Sequence, residues 1–269
     1  MSPRPRVTRA AAVLAGTLIV AASGCAARRV ALPAGTGEPF AGFKAAFDEA
    51  TRACRAIDTM TAELGVSGRV GGQRLRGRVI TGFSRPSSLR LEGLAPFGPP
   101  AFILVSTEGR ATLLLPRDPA VLEGEPPEAV IEALVGLALT PAALHAILTG
   151  CGLAGSDPVA GVSFADGWAR VEGEGDAATF LRQDRAGRWA VQAAVAGSLR
   201  VDYEERAAEV PRRIRLELEG AERRTELRLQ VAEADLNVRL GEEAFSVKVP
   251  PAAISITLEE LRRAGPLGR

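Results

Sequence analysis

Apolar and charged residues alternate along most of this chain. Leu75, Val79, Thr81 and Phe83 face away from Arg74, Arg76 and Arg78. Ile214, Leu216 and Leu218 oppose Arg213, Arg215, Glu217 and Glu219, while Thr225, Leu227, Leu229 and Val231 oppose Arg224, Glu226, Arg228 and Gln230. A period of two with one apolar and one charged side marks antiparallel strands that wet a single face. Val66, Gly68 and Val70 share a face just before Gly71-Gly72, a hairpin turn of the kind that needs positive φ. Shorter alternating runs occupy 87–94, 162–171, 178–183, 189–196 and 198–204, with two more in the tail at 236–240 and 245–249. The runs 101–105 and 111–115 are apolar on both sides, and a short strand at 120–123 comes after them.

Helical spacing interrupts this pattern early and again at mid-chain. Phe43, Phe47, Ala50, Cys54, Ile57 and Thr61 recur on one face behind Phe40, which predicts a helix ending near Leu64-Gly65. Two further helices are predicted at 126–137 and 140–149. Thr140-Pro141 supplies the second of these with an N-cap and first turn, and Gly150 supplies its C-cap. The apolar residues of this helical hairpin, among them Val130, Ile131, Leu134, Leu137, Leu144, Ile147 and Leu148, require an apolar surface to cover. A curved sheet with one greasy face requires a cover, so the chain is mainly β with helices packed on one side.

The N-terminus obeys a different logic. Arg4, Arg6 and Arg9 precede an apolar run at 10–22, too short for the roughly 20 residues that a bilayer span needs. Ala22-Ser23-Gly24-Cys25 closes the run like a lipobox, so residues 1–24 are expected to be a lipoprotein signal peptide and the Cys25 thiol to carry lipid. The alternative is an ordinary cleaved leader in which Cys25 is incidental. Pro33, Gly35, Gly37 and Pro39 then read as a flexible tether over 25–39, ahead of a domain at 40–256 and a C-terminal tail at 257–269.

Charge and composition mainly exclude. With 33 basic against 32 acidic residues and no basic block, nothing recruits nucleic acid. His145 is the single histidine and has no nucleophile elbow near it, so a Ser/His/Asp site is not expected. Carboxylates are scattered over strand exteriors rather than grouped at ligand spacing, and the glycines at 150–155 lack the lysine of a phosphate cradle. Neither enzyme chemistry, nor a metal, nor a cofactor is therefore expected. Setting Cys25 aside, Cys54 and Cys151 are either one disulfide of an exported protein or two buried free thiols.

The loop Ala95-Pro96-Phe97-Gly98-Pro99-Pro100 is unusual, because a hairpin tip normally carries small polar residues. Phe97 either protrudes to enter an acyl chain, a bilayer or a partner's groove, or folds back to plug the end of the sheet.

Several segments together resemble the LolA/LolB-type lipoprotein-localisation superfamily, and in particular its lipidated LolB-like branch. They are the Cys25 lipobox, the helix running into Leu64-Gly-Val-Ser-Gly-Arg69, Arg76-Gly-Arg78, Leu89-Arg-Leu-Glu92 and Pro96-Phe97-Gly98-Pro99. Leu113-Leu-Leu-Pro116, the helical hairpin, and Leu236-Asn237 with the later Phe245-Ser-Val-Lys-Val-Pro250 complete the likeness over about residues 40–256. The resemblance implies an α+β fold: an incomplete, strongly curved antiparallel β-barrel of about 11 strands, covered by the N-terminal helix and the hairpin. It implies an apolar cavity that receives acyl chains of lipoproteins or lipids, for which Val79, Phe83, Leu89, Leu91, Phe102, Leu104, Leu113, Leu115, Leu227 and Leu229 are the candidates. It further implies membrane insertion through the loop of Pro96, Phe97 and Gly98, delivery by a periplasmic carrier, and residence at the periplasmic face of the outer membrane. A different reading is a structural or regulatory lipoprotein whose barrel is filled by its own side chains and docks a protein partner. Protein extracted from membranes is expected to carry an added lipid mass at Cys25 by intact-mass spectrometry, and the Cys25→Ala chain to lack it.

Overall fold

The computed structural model describes residues 29–153, 157–206, 210–220 and 224–265, so Cys25 and the leader lie outside the described residues. A two-residue strand β1 (Glu38–Pro39) leads into helix α1 (Phe43–Arg55). A meander comes next: β2 (Thr59–Val70), β3 (Gln73–Ser84), β4 (Ser88–Leu94), β5 (Phe102–Thr107), β6 (Arg110–Leu115) and β7 (Ala120–Glu125). The hairpin of α2 (Pro127–Val135) and α3 (Pro141–Thr149) then interrupts the strands. A second meander runs through β8 (Ala160–Phe164), β9 (Trp168–Glu172), β10 (Ala178–Gln183), β11 (Trp189–Ala196), β12 (Leu199–Arg206), β13 (Pro211–Glu219) and β14 (Arg224–Leu236). Last come β15 (Ile254–Ser255) and α4 (Leu258–Ala264).

The 15 strands of the described residues belong to one sheet, in the order β1-β8-β9-β10-β11-β12-β13-β14-β2-β3-β4-β5-β6-β7-β15. The count exceeds the expected eleven or so because β1 and β15 are two-residue edge strands below the reach of any periodicity, and because a turn at Ala165–Gly167 splits the run 162–171 into β8 and β9. The two meanders meet where β14 pairs antiparallel with β2. Among the described residues only β15 joins parallel, beside β7. Among the described residues the two ends of the sheet do not pair, so the curved sheet stays open. Gly71 and Gly72, at φ of 56° and 84°, form the two-residue turn that aligns β2 with β3 over their whole length.

The first helix stops at Arg55, well before Leu64. Ile57, Thr61 and Leu64 fit helical spacing, yet Met60, Ala62 and Leu64 also fit a period of two, and the latter three are the residues that the sheet buries. The stop signal is tertiary. Asn237, at φ 54°, accepts the Asp58 N–H at 2.9 Å and donates its Nδ2 to the Ala56 carbonyl at 3.1 Å, which fixes the turn from helix to strand. In the tail, β14 continues to Leu236, while Phe245 ends a 3-10 turn, Glu242–Phe245, instead of starting a strand. Within the segment read as a C-terminal tail, Thr257 and Glu260 form a capping box that starts α4.

The described part of the tether is seated on the sheet. Val30 and Leu32 pack on Trp168, Phe180 and Ala193, and Arg200 Nη2 donates to the Val30 carbonyl at 2.6 Å. The main core fills the opposite, inner face under α1, α2 and α3. Thr140 caps α3 through the Ala143 N–H at 3.1 Å, and Gly136 and Gly150 close α2 and α3 in the left-handed region.

Cys54, in the last turn of α1, is bonded to Cys151, just past α3. The crosslink closes a loop with a sequence separation of 97. In the chain-entropy model such a loop is worth about 4–5 kcal/mol. Replacing both cysteines by serine is therefore expected to lower the free energy of unfolding by an amount approaching that figure, read from denaturant midpoints of the two chains at equal slope.

Candidate functional site

The inner faces of β2, β3, β4, β5, β13 and β14 converge beneath the helical hairpin. From the strands come Leu64, Val66, Val79, Leu91, Phe102, Leu216, Leu227 and Leu229; from the hairpin come Ile131, Leu134, Val135, Leu137, Leu139 and Leu144. Every one of these side chains is apolar, and together they line a cavity of about 80 Å³. A second cavity of about 130 Å³ adjoins it, sharing Val66, Val79, Phe102 and Val135 and reaching Leu75, Leu94 and Ala101. Both are smaller than the roughly 300–1,000 Å³ of ordinary ligand pockets. The hairpin's own leucines occupy the rest of the concavity.

Cross-strand register explains the lining. Leu229 lies opposite Val66, Val231 opposite Leu64, and Leu216 opposite Leu227, so the β14 ladder brings the apolar sides of both meanders into one trough. Gly93 makes room at its rim: a Cβ there would come within 2.2 Å of the Phe102 ring, so the ring lies directly over the glycine. Gly136 presses the hairpin turn onto the sheet, where a Cβ would meet Val70 Cγ1 at 2.5 Å.

Of the ten acyl-cavity candidates, Val79, Leu91, Phe102, Leu227 and Leu229 line the cavity. Phe83, Leu89, Leu104 and Leu113 are fully buried in the same core without reaching it, and Leu115 is half-buried at its margin. Facing inward is legible from alternation, whereas lining a void depends on which inward residues the helices leave uncovered. Leu64, Val66 and Leu216 were missed as cavity residues, although their alternation places them on the inner face. The lid residues of α2 and α3 were legible as an apolar cover but not as cavity wall.

The two arms of the lid are held differently. The disulfide fastens the end of α3 to α1. The α2 arm is held without a covalent bond, by the buried Leu261 of α4 and by Arg262 paired with Glu132 at 3.1 Å.

Phe97 stands 88% exposed at the tip of the β4–β5 loop. Arg117 braces this loop from behind, donating Nη2 to the Phe97 carbonyl at 2.6 Å and Nε to the Pro99 carbonyl at 3.4 Å. The ring thus projects outward instead of plugging the sheet.

His145 is buried in α3, its ring centroid 5.7 Å from that of Phe83, and its Nε2 has no hydrogen-bond partner among the described residues. A cleft of about 300 Å³ beside it is lined by Thr51, Arg55, Arg85 and Cys151 among others. The Thr51 hydroxyl donates to the Phe47 carbonyl at 2.7 Å, and Cys151 is spent in the disulfide. Among the described residues no three His, Cys, Asp or Glu side chains gather as a metal site.

No protein-family model matches the sequence, and no curated protein does. Solved structures do match. A LolA superfamily protein from Nitrosomonas europaea superposes with a TM-score of 0.50 at 11% identity, covering 76% of this chain and 96% of that one. A DUF1329 family protein from Desulfovibrio piger superposes at 0.47 and 12% identity, covering 78% and 98%. The first of these likenesses shows that the chain has a LolA/LolB-like fold.

Burial, and secondarily the nearby Arg85, hold the His145 imidazole below its ordinary value of 6.5, against a weaker opposing pull from Asp58. The folded chain therefore prefers the neutral ring. This contribution to stability is whole above about pH 6.5 and is lost as the pH falls through the lowered value. His145→Gln is expected to flatten that acid limb, seen as a smaller drop in urea midpoint between neutral and mildly acid buffer than the parent shows.

Proposed function

We propose that this chain is a lipid-anchored envelope protein that takes acyl chains of lipoproteins or lipids between its curved sheet and its helical hairpin, and delivers them to the outer membrane. Cys25 is its anchor, the periplasmic face of the outer membrane its location, and a periplasmic carrier its supplier of cargo. It carries no catalytic group in this reading. The observation that supports it is the all-apolar void beneath a lid whose α2 arm is held only by non-covalent contacts. The resting void is too small for a hydrocarbon tail, so loading requires α2 to lift while the disulfide keeps α3 in place. Each methylene then buried against leucine and valine adds roughly 0.8 kcal/mol. Phe97, exposed on its braced loop, enters the acceptor bilayer at release.

The competing reading, a structural or regulatory lipoprotein that docks a partner, has one observation in its favour. At about 80 Å³ the cavity is nearly filled by the protein's own side chains. One experiment separates the two. Delipidated protein is titrated with a fluorescent fatty-acid probe, and native mass spectrometry of membrane-extracted protein looks for retained lipid. The carrier reading expects saturable binding, weakened at least about tenfold by Leu91→Asp. It expects unchanged binding but slower transfer to vesicles for Phe97→Ala. Absence of both probe binding and retained lipid would leave the self-filled protein.

A further inference from the structure

The outer face of the sheet carries an arginine cluster that no structural role accounts for. Arg69 lies directly opposite Arg74 across the β2–β3 ladder, and Arg76 stands opposite Ser67 on the same face. Like charges placed opposite each other destabilise a strand pair. Elsewhere on this face the arginines have carboxylate partners: Arg78 with Glu63 at 3.1 Å, Arg228 with Glu226 and Arg213 with Glu205, both at 3.3 Å. Among the described residues, no ion pair involves Arg69, Arg74 or Arg76. A local rule broken without structural gain is the mark of a functional surface. Together with Arg78, Arg213 and Arg228, Arg76 also borders an open groove of about 640 Å³ where Gly65 and Ser67 leave space; Glu204, the one carboxylate in its lining, is bound to Arg215 at 2.7 Å.

The position of the cluster says what would meet it. One cross-strand row runs Arg200, Glu217, Glu226, Arg69, Arg74 over the outer face. Arg29, where the described tether begins, is bound to Glu217 in that row at 2.8 Å. With neighbouring strands about 4.8 Å apart, Glu217, to which Arg29 is bound, stands roughly 15 Å from Arg74. Four Cα–Cα steps, at most about 14 Å, separate Arg29 from Cys25. That short reach from Arg29 confines a lipid on Cys25 to the neighbourhood of the outer face, so a bilayer holding it would be within range of the arginines of β2 and β3.

We infer that Arg69, Arg74 and Arg76, with the adjoining groove, form a site for phosphate-bearing anions, supplied by the headgroups of an anionic bilayer surface. Guanidinium groups suit such ligands, since their planar fork can meet two phosphate oxygens at once. The placement rests on the anchor reading of Cys25; the chemistry of the patch does not.

The test uses the full chain with Cys25→Ser, which removes any lipid contribution, in flotation with vesicles of phosphatidylcholine alone or mixed equally with phosphatidylglycerol. Binding to the anionic vesicles that falls with added salt is expected. The exposed triple variant Arg69→Gln, Arg74→Gln, Arg76→Gln should lose at least about tenfold in affinity, while Arg185→Gln, on the distant β10–β11 turn, should lose none. Because both chains share the same N-terminal segment, any binding through the leader cancels. Equal binding by parent and triple variant would overturn the site. Displacement by millimolar inorganic phosphate, but not by chloride at equal ionic strength, would overturn the headgroup assignment in favour of a free anion. If wild-type protein carries no lipid at Cys25 while the arginine dependence persists, the anchor reading fails and the anion site stands.

Discussion

The pairing of β14 with β2 is the constraint on which the rest of this molecule depends. It joins meanders separated by the helical hairpin into one sheet, and it does so at close quarters. Gly68 sits at φ 154° opposite Leu227, and a Cβ there would fall 2.0 Å from the Glu226 carbonyl oxygen. Any side chain would push the two strands apart. That close contact sets the register by which Leu229 meets Val66 and Val231 meets Leu64. A one-residue slip of β14 would turn its Leu227 and Leu229 outward and its Arg228 inward. The apolar trough and the charged outer face are thus two consequences of a single register.

A trough of that kind cannot stay uncovered in water, and its cover determines how little space is left inside. The apolar faces of α2 and α3 fill the concavity so well that little free volume remains. Closure is asymmetric, covalent at α3 and non-covalent at α2. A lid fastened at one side can move about that side, which is a geometry compatible with loading a tail without unfolding the core.

On the other face the organisation is electrostatic. Arg215 is buried among Glu204 at 2.7 Å and Glu217 and Glu226 at 3.6 Å. A charge taken out of water needs such company. Asp202 sits nearby, and burial pushes its carboxyl above the ordinary range despite its bond to Arg200. The seated tether contributes to this burial, since Arg29 lies against Asp202 and Glu217. Charge is therefore compensated where the tether covers the sheet, and on β2 and β3 it is left without an ion pair among the described residues at Arg69, Arg74 and Arg76, which face solvent.

Much of this was legible along the chain because it depends on neighbours two to four residues apart. Alternation marked the long strands and their inner residues, Gly71-Gly72 marked the hairpin, and Thr140-Pro141 with Gly150 marked α3. The covalent partner of Cys54 and the exposure of Phe97 each came down to two alternatives, which only the packed molecule separated. Other features needed the fold itself. The early end of α1 depends on Asn237, far downstream, with a separation of 179 to Asp58. The two-residue edge strands have no period to read. Which inward leucines border a void, and which arginines face one another unpaired, depend on strand order and lid placement. The sequence by itself determined which side of each alternating strand is greasy, because side-chain direction is a local property of an extended backbone; the tertiary structure alone decided which greasy sides meet, because long-range pairing is selected by the packing of the whole sheet.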